Sequence, residues 1–182
     1  MSGIQDNQSN PVVLKFEGVL RGWLVEKGGR VDIDYQAIHR TGRVKVWLTR
    51  GEERKSVYLP REVSFVMHNI RGSQVDPHRG AWLWSHFWME AAEGVLHQEA
   101  DWMREPVIGS DPVGDGDAAF ELDQFPRDPQ WVPEWMAVKA AAYHKEAERR
   151  ERRCQRDRER RARKKAQEAE AAQGAEEHSG GE

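Results

Sequence analysis

An α+β fold is what the sequence predicts, on three observations. From Val12 to about Ile70 apolar residues recur with period two, from 77 to 104 they recur with the helical period, and after Tyr143 they thin out while charge continues. Together these describe a small antiparallel β meander or half-open barrel of about five strands, capped by an amphipathic Trp-rich helix and followed by a long charged C-terminal helix. Residues 1–11 read as a disordered polar N-terminus and 12–143 as the α+β domain, with β structure over 12–70, a helix over 77–104, a loop over 105–132 and the start of a helix over 133–143. Residues 144–172 read as a projecting helical arm and 173–182 as a disordered tail.

The strands come first. In "RVDIDYQAI" Val31, Ile33, Tyr35 and Ala37 share one face, with Asp32, Asp34 and Gln36 on the other; "VKVWLT" and "SVYLP" alternate in the same way. One wet face and one dry face imply antiparallel pairing. Gly28-Gly29 and Thr41-Gly42 suit tight turns, "RGEERK" a longer loop, and Pro60, which has no N–H for a ladder, ends the fourth strand. "VVLKFEGVL" before and "EVSFVMHNI" after complete the meander. Asp76-Pro77 reads as an N-cap followed by proline at the first helical position. In the helix so opened, Trp84, Trp88, Ala91, Val95 and Trp102 fall on one stripe and His86, Glu90, Glu93, His97 and Asp101 on the opposite one. The stretch 105–132 is rich in Pro, Gly and Asp, with Phe120, Leu122, Phe125 and Trp131 as anchors, and Pro133 opens the last helix.

The net charge of −3 hides a block layout: −5 over residues 1–144, +7 over 145–165 and −5 over 166–182. Such blocks mark an interaction tail more than a fold. The lone Cys154 excludes an intramolecular disulfide and a multi-cysteine zinc site. With no basic-then-apolar leader and no apolar run near the ~18 residues that span a bilayer, the chain reads as cytoplasmic and without a membrane partner.

Motifs for catalysis are absent, and no cofactor is implied. G-x-S-x-G and H-E-x-x-H do not occur, and "GDGDAA" does not follow an apolar strand and carries aspartates that would repel a pyrophosphate. His86, Glu90, Glu93 and His97, on one helical face, are a weak metal set: ligands spread over eleven residues cover ~16 Å of helix rise, too far to wrap one ion. A metal-dependent enzyme around His86 and Glu90 is the minor alternative. Trp47, out of phase with Val46 and Leu48 and close to Lys45 and Arg43, suits the stacking role of aromatics in single-strand binders.

Most of the functional expectation rests on "ERRERRCQRDRERRARKKAQEAEAA". Glu146–Arg150, Glu148–Arg152, Asp157–Arg161 and Glu159–Arg163 are i,i+4 pairs that support a helix without a partner. Twelve basic residues against five acids still leave a surplus of +7 over 145–165, for which phosphate is the natural counterpart, and Arg149, Arg150, Arg152, Arg153, Arg156, Arg160, Arg163, Lys164 and Lys165 are the candidate contacts. The expected role is non-enzymatic, salt-sensitive and largely sequence-independent binding of nucleic acid. The main alternative is a protein–protein adaptor, such as a phage or mobile-element accessory factor, whose arm meets an acidic protein surface or a second copy of the chain.

Overall fold

Asn10 and Pro11 open the first helix. The Asn10 side-chain oxygen accepts from the backbone N–H groups of Val12 and Val13 at 3.0 and 3.3 Å, and proline occupies the first helical position. Helix α1 (Pro11–Lys27) then buries Val13, Phe16, Leu20 and Leu24 on one stripe. Gly28 ends it at φ 70°, and Gly29, at φ 82°, lies so close to Thr49 that a Cβ would stand 2.1 Å from its carbonyl oxygen. The computed structural model describes the side chains of residues 10–167, together with the backbone of 2–4 and of 168–179.

The chain is an α+β protein with a six-stranded antiparallel sheet ordered β1-β6-β5-β2-β3-β4, built from β1 (Ser2–Ile4), β2 (Arg30–Ile38), β3 (Thr41–Arg50), β4 (Glu53–Ser56), β5 (Trp84–Glu90) and β6 (His97–Asp101). Helices α2 (Arg61–Ser73), α3 (Asp115–Gln124) and α4 (Glu134–Ser179) complete it. The chain divides into two units, Met1–Ala141 and Ala142–Glu182. In the first, the core joins the apolar stripes of α1 and α2 to Val31, Ile33, Tyr35, Val46, Leu48, Phe87, Met89, Ala100, Trp82 and Trp102. A smaller cluster gathers Ile38, Leu83, Val113, Ala118 and Met136.

The class, the antiparallel sheet and the long C-terminal helix agree with the sequence reading; several elements do not. Residues 12–27 and 61–73 are helices, because Val13, Phe16, Leu20, Leu24 and Val63, Val66, Met67, Ile70 recur at three- and four-residue steps behind Asn10-Pro11 and Pro60. The Trp-rich helix expected over 77–104 is instead the β5–β6 hairpin. Ser85, Phe87 and Met89 are buried while Trp84, His86 and Trp88 are half-buried, so both faces of the strand are apolar enough to disguise a period of two. Asp76 caps a turn, not a helix: its carboxylate accepts from the N–H groups of His78 and Arg79, and the turn closes on Gly80 at φ 69°. The 105–132 stretch contains α3 and a 3-10 turn at Pro129–Trp131. Ser2–Ile4 pairs with β6, and α4 runs to Ser179 across the expected tail.

Two polar clusters lock the first unit. Gln74 accepts from Trp82 Nε1 at 2.9 Å and from Gln98 at 3.0 Å, and Gln98 donates on to Ser85 at 2.9 Å, tying the end of α2 to β5 and β6. In the second, Glu121, wholly buried, meets Arg71 at 2.5 Å and Arg127 at 3.3 Å, while its other oxygen accepts from the His39 N–H at 2.6 Å. Both guanidinium groups also donate to carbonyls: Arg71 to Trp82 at 2.7 Å, Arg127 to Trp102 and Ala81 at 2.6 Å. Buried charge is tolerated only where acceptors replace lost water in this way.

Candidate nucleic-acid interface

The second unit presents the basic residues. Every described residue from Glu148 to Gln167 is exposed. At 100° per residue, Lys145, Arg149, Arg152, Arg156, Arg160 and Arg163, with Arg153 and Lys164 beside them, fall within about 120° of the helix circumference. The stripe runs for ~27 Å of rise, and of the five acids between Lys145 and Lys165 only Glu146 lies on its edge. Arg150 and Lys165, with Arg158 and Arg161, fall outside it.

The i,i+4 pairing anticipated for this segment is largely unrealised. Arg152 meets Glu148 at 3.4 Å, but Glu146 turns to Arg149 at 3.9 Å, and Glu159 accepts from Gln155 at 3.2 Å. These are the only ion pairs within 4 Å for Lys145–Arg163 among the described residues, so most of the arginines have no carboxylate partner there. Along the stripe, like charges stand at i,i+3 and i,i+4: Arg149 with Arg152 and Arg153, Arg152 with Arg156, Arg156 with Arg160. Each such pair costs the isolated helix a few tenths of a kcal/mol. The acidic residues Glu168, Glu170, Glu176, Glu177 and Glu182 lie outside the described side chains.

In the first unit, the sheet turns its second face away from the core. Trp47 stands on this face, half-buried, opposite Asp32 on β2 and Ser56 on β4, with the Arg54 guanidinium 4.8 Å from its ring centre. The rest of the face carries an aromatic ladder. Trp84 and His86 stack at 6.2 Å, His86 and Trp88 at 5.5 Å, and Trp88 and His97 at 5.2 Å, with interplanar angles of 12°, 27° and 12°. Arg104 lies over Trp84 at 5.4 Å and Arg30 over Trp88 at 5.8 Å. The inner rungs therefore spend their ring faces on one another. Trp84 Nε1 donates to Asp34, and Asp32 accepts from Arg30 at 2.8 Å and lies 3.2 Å from His86 Nε2. The hydrogen bond to Asp32 is the main reason the Arg30 pKa is raised.

The ladder also corrects the metal reading. His86 and Glu90 lie on β5, Glu93 in the following turn and His97 on β6, so the four do not share a helical face. The Trp88 ring stands between the two imidazoles, each of which has its own carboxylate, Asp32 for His86 and Glu93, at 3.1 Å, for His97. No group of three His, Cys, Asp or Glu among the described residues is placed to hold a metal ion. No helix among them is long and apolar enough to cross a membrane.

No family model, curated protein or solved structure matches the chain.

Proposed function

We propose that the protein binds nucleic acid through the basic stripe of α4, contacting phosphates and not base edges. The observation that carries this reading is the alignment of like charges. A helix that needed only to stay hydrated would intersperse its acids all round, whereas here Glu148, Glu151, Asp157 and Glu159 fall outside the stripe and Glu146 only on its edge. Stacking six basic residues at three- and four-residue steps is a repulsive arrangement that a row of phosphates relieves. Arginine suits the task, since its planar fork meets two phosphate oxygens at once. Nothing in such contacts reads sequence, so affinity is governed by salt. The setting is a reducing cytoplasm, in keeping with the exposed thiol of Cys154.

Fluorescence anisotropy of mixed-sequence DNA and RNA with the full chain, titrated with salt, tests the proposal. If ~5 phosphates are neutralised, the log–log slope is about −4 to −5. Absence of binding at about 50 mM salt, where such contacts are strong, overturns it.

A further inference from the structure

A cleft of about 510 Å³ opens in the first unit between the C-terminal half of α2, the β2–β3 turn and the end of α3. Arg71, Arg40, His39, His68, Tyr35 and Thr41 contribute its polar lining, and no aspartate or glutamate lines it. Arg71 is the decisive residue. It is 5% exposed, its Nε donates to the Trp82 carbonyl and its Nη2 to Glu121. Its plane lies over the Phe125 ring at 4.9 Å. Nη1 has no protein acceptor among the described residues and is not among the sealed, unpartnered atoms, and Arg71 lines the cleft. Tyr35, 6% exposed, also lines the cleft, and its hydroxyl has no protein partner among the described residues. His68 donates Nδ1 to the Ser64 carbonyl at 2.6 Å, which leaves Nε2 available.

Charge accounting points the same way. Glu121 is one anion shared by two buried cations, so the cluster behind the cleft carries an excess positive charge, and Arg40 adds another at the mouth. Excess buried charge is costly unless an ion of opposite sign answers it. Glu121 also shapes the opposite wall. It accepts the His39 N–H, and that residue stands at φ 47°, a left-handed conformation uncommon outside glycine, in the turn from which His39, Arg40 and Thr41 line the cleft with Arg71. A single buried carboxylate therefore orients donors on both sides.

We propose that this cleft is a phosphomonoester site, with Arg71 and Arg40 taking the phosphate oxygens and the Tyr35 and Thr41 hydroxyls completing the shell. Donors arrive from α2, from β2 and from the β2–β3 turn, and a phosphate, with three terminal oxygens set tetrahedrally, meets such a spread in more directions than a planar carboxylate. The volume is that of an ordinary small-ligand cleft. The phosphate can be that of a free nucleotide or the terminal phosphate of a strand; the chemistry is shared. The site does not depend on the stripe of α4.

The test is an NMR titration of the full chain, following the ring signals of His39 and His68 and the Arg71 Nε signal. The probes are inorganic phosphate, adenosine monophosphate, and a short oligonucleotide with and without a 5′-phosphate. Saturable shifts with phosphate and the monophosphate are expected, with a dissociation constant on the order of 1 mM or tighter. Shifts of the same signals by the 5′-phosphorylated strand alone assign the site to strand ends; shifts by the mononucleotide and not by the strand assign it to a small ligand. Exposed Arg40→Ala, which leaves the buried cluster intact, is expected to weaken binding about tenfold, and Thr41→Ala less. Neutralising the α4 stripe is expected to leave these shifts unchanged, so this site and that of α4 fail separately. An equal response to acetate at matched ionic strength, no saturation below about 10 mM phosphate, or full affinity in Arg40→Ala overturns the proposal.

Discussion

Arg71 and Arg127 have side chains 7% and 0% exposed, and both donate to Glu121, Arg71 also to one backbone carbonyl and Arg127 to two. Arg149 and Arg152 have side chains 62% and 65% exposed, and each has one carboxylate within 4 Å. The same side chain thus serves two purposes in one chain. In the first unit the guanidinium is a structural donor whose charge is an expense offset by Glu121 and by backbone carbonyls; burial is the main cause of the lowered Arg127 pKa, with Glu121 opposing it. In the second unit the guanidinium contributes no packing and its charge is the point. The difference shows why a count of basic residues is uninformative until each is placed: a guanidinium buried among acceptors builds a fold, and one presented to solvent is available to a partner.

The sharpest way to break this contrast is to remove the answer. Glu121→Gln leaves two buried cations without their anion, and loss of one partner of such a cluster costs about 3–5 kcal/mol. Urea unfolding of the full chain is expected to show that loss, whereas neutralising Arg152, Arg156 and Arg160 together is expected to leave the midpoint in place. Were the two variants equally destabilised, the arm would be structural and the contrast void. The triple substitution should instead appear in binding, lowering the magnitude of the salt slope by about 3 as three phosphate contacts are lost.

The two regions also differ in how far the sequence disclosed them. The arm is local: its helix and its charge are legible from spacing alone, and only the failure of most i,i+4 pairs required coordinates, because long exposed side chains gain little from closing an ion pair. The first unit is governed by distant partners. Arg71, Glu121 and Arg127 are separated by 50 and 6 residues, and nothing in the spacing reveals that they meet. The β5–β6 hairpin is hidden because Trp84, His86 and Trp88 make the outward face of β5 nearly as apolar as its inward one, Ser85, Phe87 and Met89. The start of α1 is legible in the sequence: Asn10-Pro11 carries the same cap signature as Asp76-Pro77, but only the first is followed by a stripe that finds a core, while Gly80 closes the second into a turn.

The aromatic ladder gives a third, intermediate test. Trp88 stacks on both His86 and His97, and aromatic pairs of this kind contribute about 0.5–1.5 kcal/mol each beyond their area. Trp88→Ala is expected to lower stability by about 1–3 kcal/mol on that basis, less than Glu121→Gln, and to leave the salt-dependent binding untouched. A loss of binding with retained stability would mean that the sheet face, not the arm, meets the ligand.

The smallest effect expected separates a charge that supports from a charge that opposes. Asp76 is partly buried, which raises its pKa, but the N–H groups of Arg79 and His78 and the Arg79 guanidinium together hold it below the ordinary carboxylate value. A carboxyl depressed on folding contributes stability at neutral pH, which is lost as pH falls through its folded-state pKa, so the Asp76 share fades in the acid range and is absent in Asp76→Asn. Glu148 is the contrary case. Among the described residues it makes the arm's one i,i+4 ion pair, to Arg152, and such a pair contributes less than about 0.5 kcal/mol to its helix. Glu148→Gln should therefore be nearly silent in unfolding, yet it frees Arg152 and removes a negative charge close to the stripe, so nucleic-acid affinity at low salt is expected to rise. Anisotropy on wild type and variant at matched salt decides the matter: an unchanged or weakened affinity would mean that Arg152 and its neighbours do not face phosphate.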